Sequence, residues 1–213
     1  MCPHQRTPIR QLGEDHSTDR WRDYRAILPP EEYDETRLLK MLTDPGFPEA
    51  PEGSSLPWVP LHAWRALAQM RSVAAIEPVL HLAEGDYYQQ AHDDFAKLSA
   101  EIGSAAIRPL ATILSDHDRS EVSRTLAATG LGAIGHSLSG QARASIVDLL
   151  MEQIRGNDES DGWVNGAAAE ALMTMEEHSV GSEVLKIYDE GRIQLGMIRS
   201  AALTRFFGRE QTE

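Results

Sequence analysis

Apolar positions recur along this chain at helical spacing, and the helical segments themselves recur. Residues 98–103 read Leu-Ser-Ala-Glu-Ile-Gly, and residues 105–116 read Ala-Ala-Ile-Arg-Pro-Leu-Ala-Thr-Ile-Leu-Ser-Asp. Thirty-one residues earlier Leu67 stands for Leu98, and residues 74–79 (Ala-Ala-Ile-Glu-Pro-Val) stand for 105–110. A period of this size marks one helix pair copied along the chain. The spacing predicts four pairs: 58–70 with 73–84, 87–102 with 104–115, 119–134 with 140–155, and 161–176 with 179–190. Leu67, Leu98, Leu131 and Leu172 anchor the first helices at intervals of 31, 33 and 41, the last lengthened by a polar loop at 156–160. Trp64 and Phe95 hold equivalent places. Pro78 and Pro109 fall early in second helices, where a first-turn N–H has no intrahelical partner and proline is tolerated. Ser72 is placed to cap 73–84 and Gly85 to end it.

The flanks differ from the repeats. Residues 1–16 are polar and aperiodic, expected to be mobile or draped over a neighbour. Thr18-Asp19 stands ready to cap a short helix carrying Trp21, Tyr24, Ile27 and Leu28, which Pro29-Pro30 stops. A second helix is expected over 31–42, acidic at its start and with Lys40 near its end, as the macrodipole favours. Residues 44–57 hold Pro45, Pro48, Pro51 and Pro57 and support no helix. Residues 194–207 read as a final amphipathic helix, packed on the last repeat or against a partner. The expected organisation is an N-terminal segment 1–57, a repeat body 58–190 and a tail 191–213. The expected fold is all-α: an α-solenoid of about four helix pairs behind an N-terminal helical cap. Each pair is apolar on more than one face and needs neighbours to complete its core.

Charge narrows the partner. The 213 residues carry a net charge of −13, distributed as −4 over 1–57, −11 over 58–190 and +2 over 191–213. An acidic repeat body argues against nucleic acid, whose phosphates call for clustered Lys and Arg. No apolar run reaches the roughly 18 residues of a spanning helix, so no membrane role is expected. The lone Cys2 forms no internal disulfide, which fits a reducing cytoplasm.

Chemistry-bearing motifs are sparse. Residues 130–135 match G-x-G-x-x-G, but a dinucleotide site needs a strand before it and a helix opening from it. Here the motif ends a helix, so tight packing is the expectation. His62, His92, Asp93 and Asp94 occupy near-equivalent places on successive first helices, and Glu77 and His81 share a face; these read as solvated polar positions rather than metal ligands. Cys2 and the loop serines 54, 55, 137 and 139 lack a His or Asp partner at a recognisable spacing. No catalytic residue, metal or cofactor is expected. Trp58, Trp64 and Trp163 read as core or seam residues, with Trp58 and Trp163 also placed as possible partner anchors. The acidic stretch 157–161 reads as a solvated turn.

Leu98 with Ile102-Gly103, and Leu131 with Ile134-Gly135, close first helices, and Ala106 and Leu110 make an Ala-x-x-x-Leu in the next. This pattern resembles HEAT-like repeats of the kind shared with phycobilisome-lyase-type bacterial repeat proteins. Trp58, His62 and Ala63 make a Trp-x-x-x-His-Ala entry similar to that of other bacterial HEAT-like proteins. The resemblance covers about residues 58–190 and implies fold more than activity. It implies second helices lining a concave face, where Glu77, His81, Glu84, Arg108, Thr112, Arg143, Asp148, Glu152, Glu183 and Lys186 fall. Their mixed sign suits a protein or peptide partner and a non-catalytic scaffold or interaction role. The same resemblance leaves two alternatives: a chromophore-lyase-like activity on an acceptor protein, and a HEAT-like DNA-repair glycosylase, which the charge disfavours.

Overall fold

The computed structural model describes residues 7–18, 20–47, 51, 53–85, 89–156, 161–195 and 197–208, the side chains of Met197 and Ile198 excepted. Every regular element among the described residues is an α-helix or a short 3-10 turn. The chain divides into two compact units, Met1–Ala106 and Ile107–Glu213.

The first unit holds α1 (Tyr24–Ile27), α2 (Glu35–Leu42), α3 (Val59–Gln69), α4 (Ile76–Glu84) and α5 (Gln89–Ile102). Its centre is α3, against which α1, α2 and α5 all pack. Every residue from Val59 to Ala68 is buried. The repeat anchors Leu67 and Leu98, and the equivalent aromatics Trp64 and Phe95, have no exposed surface. The N-terminal segment belongs to this unit and crosses the 57/58 boundary expected from composition. Thr7 N–H donates to Ile27 O, Ile9 is fully buried, and Ser55 Oγ donates to Arg10 O. The expected draping over a neighbour holds for residues 7–16; residues 1–6, Cys2 among them, lie outside the described residues.

Capping corrects three local expectations. The first helix starts at Tyr24 because Asp23, not Thr18, accepts from Ala26 N–H; Asp19 lies outside the described residues. The second starts at Glu35 rather than 31, because the Asp34 carboxylate accepts from Arg37 N–H. Pro29 to Tyr33 form a turn instead, with Glu32 and Tyr33 N–H on Pro29 O. Ser72 makes no cap; its hydroxyl donates to the Glu35 carboxylate, and a 3-10 turn over Val73–Ala75 leads into α4. Gly85 ends α4 as expected, and Pro78 is its third residue, where its missing N–H costs little.

The second unit holds α6 (Ile107–Ser115), α7 (Glu121–His136), α8 (Gly140–Arg155), α9 (Gly162–Thr174), α10 (Gly181–Asp189) and α11 (Met197–Phe207). Here α7 is central and packs on α6, α8 and α9. Small residues bring α7 and α9 together. A Cβ on Gly132 would stand 2.7 Å from the Ala171 Cα, and one on Gly135 would meet the Met175 side chain. The G-x-G-x-x-G match is therefore a packing surface in the last turns of α7, which ends one residue past it at His136, as expected of a tightly packed helix end.

The tail completes this unit. Gln194 N–H donates to Gly162 O, and a Cβ on Gly166 would overlap the Gln194 carbonyl oxygen. That seat against α9 holds residue 194 outside any helix, so α11 begins at Met197 instead. Leu203 and Phe207 are buried, and Phe207 lies against Gly181 at the start of α10.

In an open helix Gly→Ala stabilises by up to about 1 kcal/mol. At Gly132 the sign reverses, because the added methyl meets backbone. Gly132→Ala is expected to lower stability by about 1–3 kcal/mol, read as a fall in the urea midpoint at unchanged slope.

Candidate functional site

Each unit is built around a buried arginine that the sequence reading passed over. In the first, Arg65 projects from α3 with no exposed surface. Its Nε donates to Asp94 Oδ2 at 2.6 Å and its Nη2 to Asp94 Oδ1 at 3.2 Å, while Trp64 Nε1 donates to the same Oδ2 at 3.0 Å. Asp15 lies 3.5 Å from Arg65 Nη1 and also accepts from Arg22. The Trp21 ring lies beneath both the Arg65 guanidinium and the Lys97 ammonium, at 5.4 and 4.7 Å from its centroid.

His62 stands about one turn before Arg65 on α3 and fixes the N-terminal segment. Its Nε2–H donates to Gly13 O at 2.7 Å, which leaves Nδ1 to accept from the Tyr24 hydroxyl at 2.8 Å. Burial, the largest influence, holds the imidazole down from 6.5 to about 4. Burial likewise pushes the Tyr24 phenol well above its usual value. The expectation of solvated positions for His62 and Asp94 is therefore corrected: both are buried structural groups. His92 is half-buried and its Nε2 meets Ala83 O at 2.7 Å. Among the described residues no group of three His, Cys, Asp or Glu side chains is arranged to hold a metal.

In the second unit Arg124 on α7 binds Asp161 with paired N–H bonds, Nη1 to Oδ1 at 2.5 Å and Nη2 to Oδ2 at 2.7 Å. Its Nε donates to Leu114 O at the end of α6. Gln153 on α8 accepts from Arg124 and donates to both Asp161 and Asn165. Asn165 donates to Arg192 O, and Arg192 donates to the carbonyls of Ile154, Arg155 and Gly156. One network thus joins α6, α7, α8, α9 and the tail. The Arg124 hydrogen bonds, more than any other influence, hold the Asp161 carboxyl below its usual range. The expected solvated acidic turn is corrected at Asp161, which is 5% exposed; residues 157–160 lie outside the described residues.

Above this network lies a cleft of about 480 Å³ between α6 and α8, within the size range of ligand sites. Ala111, Leu114 and Leu149 form its apolar wall, and His117, Glu152 and Asp161 stand among its polar groups. The His117 Nδ1 is 3.7 Å from Asp161 Oδ2.

The expected partner-facing residues separate by environment. Glu77, His81 and Glu84 are exposed on α4 of the first unit. In the second, Arg108 and Thr112 are exposed on α6, Asp148 and Glu152 on α8, and Lys186 on α10. Arg143 is instead a half-buried clamp, donating to the Gly135 and Met175 carbonyls and lying 3.3 Å from Glu177. Glu183 is bound by Arg155 through paired bonds of 2.7 Å. Trp58 is half-buried, with its ring edge-on to His16 at 4.8 Å. Trp163 is corrected from core or seam: it is 50% exposed.

Arg65 and Arg124 carried a signal in the sequence, since each interrupts an otherwise apolar or small-residue helix. Their acceptors lie 29 and 37 residues further on.

Two tests follow from these groups. The unfolded chain binds the His62 proton near pH 6.5 and the folded chain only near 4. Its contribution is whole above 6.5 and falls by up to about 3 kcal/mol as pH drops to 4, with Asp161 adding a further loss below the usual carboxylate range. Urea midpoints of wild type and His62→Gln across this window should converge toward pH 4. Removing one partner of a buried pair strands the other, so Arg124→Met should cost about 3–5 kcal/mol in urea unfolding, and Arg124→Met with Asp161→Leu markedly less.

No protein-family model, curated protein or solved structure matches this chain.

Proposed function

We propose that the chain is a non-catalytic interaction module, built of HEAT-like helix pairs, that binds a protein or peptide through exposed second-helix positions and through Trp163. The observation that carries this reading is Trp163. Among the described residues it is the exposed large apolar side chain, in a chain whose other tryptophans are buried or half-buried. An indole held at the start of α9 covers a large area at little entropic cost, which is why tryptophan is frequent among the residues that dominate interfaces. Asp161, two residues before it, is fixed by Arg124, so the helix start that presents Trp163 is firmly placed. The exposed Glu77, His81 and Glu84 on α4, Arg108 on α6, Asp148 and Glu152 on α8, and Lys186 on α10 add polar groups of mixed sign that suit a protein surface.

Affinity capture of the tagged full chain from its native lysate tests the reading, with Trp163→Ala in parallel. A stoichiometric protein partner is expected, and the substitution should weaken its binding about 30-fold. The free energy of urea unfolding should stay within about 0.5 kcal/mol of wild type, because the ring is half in solvent. A partner retained equally by Trp163→Ala, or none captured, counts against the proposal.

A further inference from the structure

The α6–α8 cleft has two chemically different sides, and together they suit one kind of group. We infer that it receives an arginine side chain presented by the partner polypeptide, an assignment that rests on the interaction reading above. Ala111, Leu114 and Leu149 offer an apolar wall to the side-chain stem. Glu152, exposed on α8, offers the carboxylate that a guanidinium meets with paired N–H bonds.

The surrounding charge has the complementary sign. Asp148 lies one turn before Glu152 on α8, and Asp116 and Asp118 lie on the turn after α6. The unit from Ile107 to Glu213 carries a net charge of −6. Several nearby cations are already engaged: Arg124 with Asp161, Arg192 with the carbonyls ending α8, Arg155 with Glu183, and Arg119 at 3.6 Å from Asp116; Arg108, three residues before Ala111 on α6, is exposed. An anionic ligand would meet Glu152 with like charge. The ring of His117 at the cleft adds a flat surface suited to a planar guanidinium, which is also less tightly hydrated than a lysine ammonium. Trp163 gives the same partner a second anchor close by in the chain.

The test is a titration of the isotope-labelled full chain with the capped tripeptides Leu-Arg-Leu, Leu-Lys-Leu and Leu-Gln-Leu, followed by amide chemical shifts. The arginine peptide should shift the amides of Leu114, Ser115, Leu149 and Glu152. It should bind about five-fold more tightly than the glutamine peptide, with lysine between them. Glu152→Gln should abolish that margin, and added salt should shrink it. Glu152→Asp, which keeps the charge, should retain part of it and guards against a fold defect in the first variant. Equal binding of the arginine and glutamine peptides, shifts confined elsewhere, or no shifts would overturn the assignment. A captured partner held equally by wild type and Glu152→Gln overturns it too, and leaves the interaction reading standing. Arginine-selective tripeptide binding without any captured partner supports the cleft while counting against that wider reading.

Discussion

In each unit a buried arginine holds its helix to an aspartate on, or at the entry to, another helix later in the chain, and the surrounding structure depends on that bond. Arg65 on α3 meets Asp94 on α5, and Arg124 on α7 meets Asp161 at the entry to α9. Helices packed through alanine and leucine have several nearly equal registers, because such side chains are interchangeable in size and make no directional bonds. A guanidinium paired with one carboxylate does not slide. The cost of taking both charges from water means these pairs need not add net stability. Their hydrogen bonds are nearly complete, and that completeness ties helix spacing and register to one solution. The small-residue contacts elaborate it: Gly132 against Ala171 is possible only when α7 and α9 cross at the register that Arg124 and Asp161 permit.

The same bonds explain why irregular segments are ordered. Residues 12–18 and 20–23 have no regular structure, yet Gly13 O is held by His62, Asp15 by Arg22 and Arg65, and Arg22 O by Gln69. In effect, α3 presents a polar face inside the unit, and the N-terminal segment satisfies it. A helix with His62, Arg65 and Gln69 on one side could not remain buried otherwise. In the second unit the tail does the corresponding work, with Arg192 taking the carbonyls that α8 leaves unsatisfied at its end.

Helix pairs were legible from the sequence because apolar periodicity is a local property. Leu67, Leu98, Leu131 and Leu172 are all fully buried, and the expected helices from 58 to 190 match α3 to α10 with only end shifts. Starts were less legible. Several residues in a row can cap, and the winner depends on tertiary contacts, as at Ser72, whose hydroxyl turns to Glu35. The buried network was least legible because its members are far apart in sequence. Arg65 and Asp94 are separated by 29 residues and Arg124 and Asp161 by 37, and composition cannot say which of many charged residues meet. Trp163 fails for a related reason. Its neighbours Val164 and Asn165 are buried, so the local pattern gives an indole at 163 no distinguishing mark.

A surface built above a fixed network can change its chemistry without endangering the fold. Glu152 and Gln153 are adjacent on α8, yet Gln153 is bonded to Arg124, Asp161 and Asn165 while Glu152 reaches solvent. Substitution at Gln153 disturbs α7, α8 and α9 at once, whereas substitution at Glu152 changes an exposed side chain at the cleft. Surface chemistry and folding are thereby divided between two consecutive residues by the rotation of roughly 100° per helical position. On the interaction role proposed above, rim residues such as Glu152 are free to vary, while the Arg124 network keeps the cleft's floor and the start of α9 that carries Trp163 where they are.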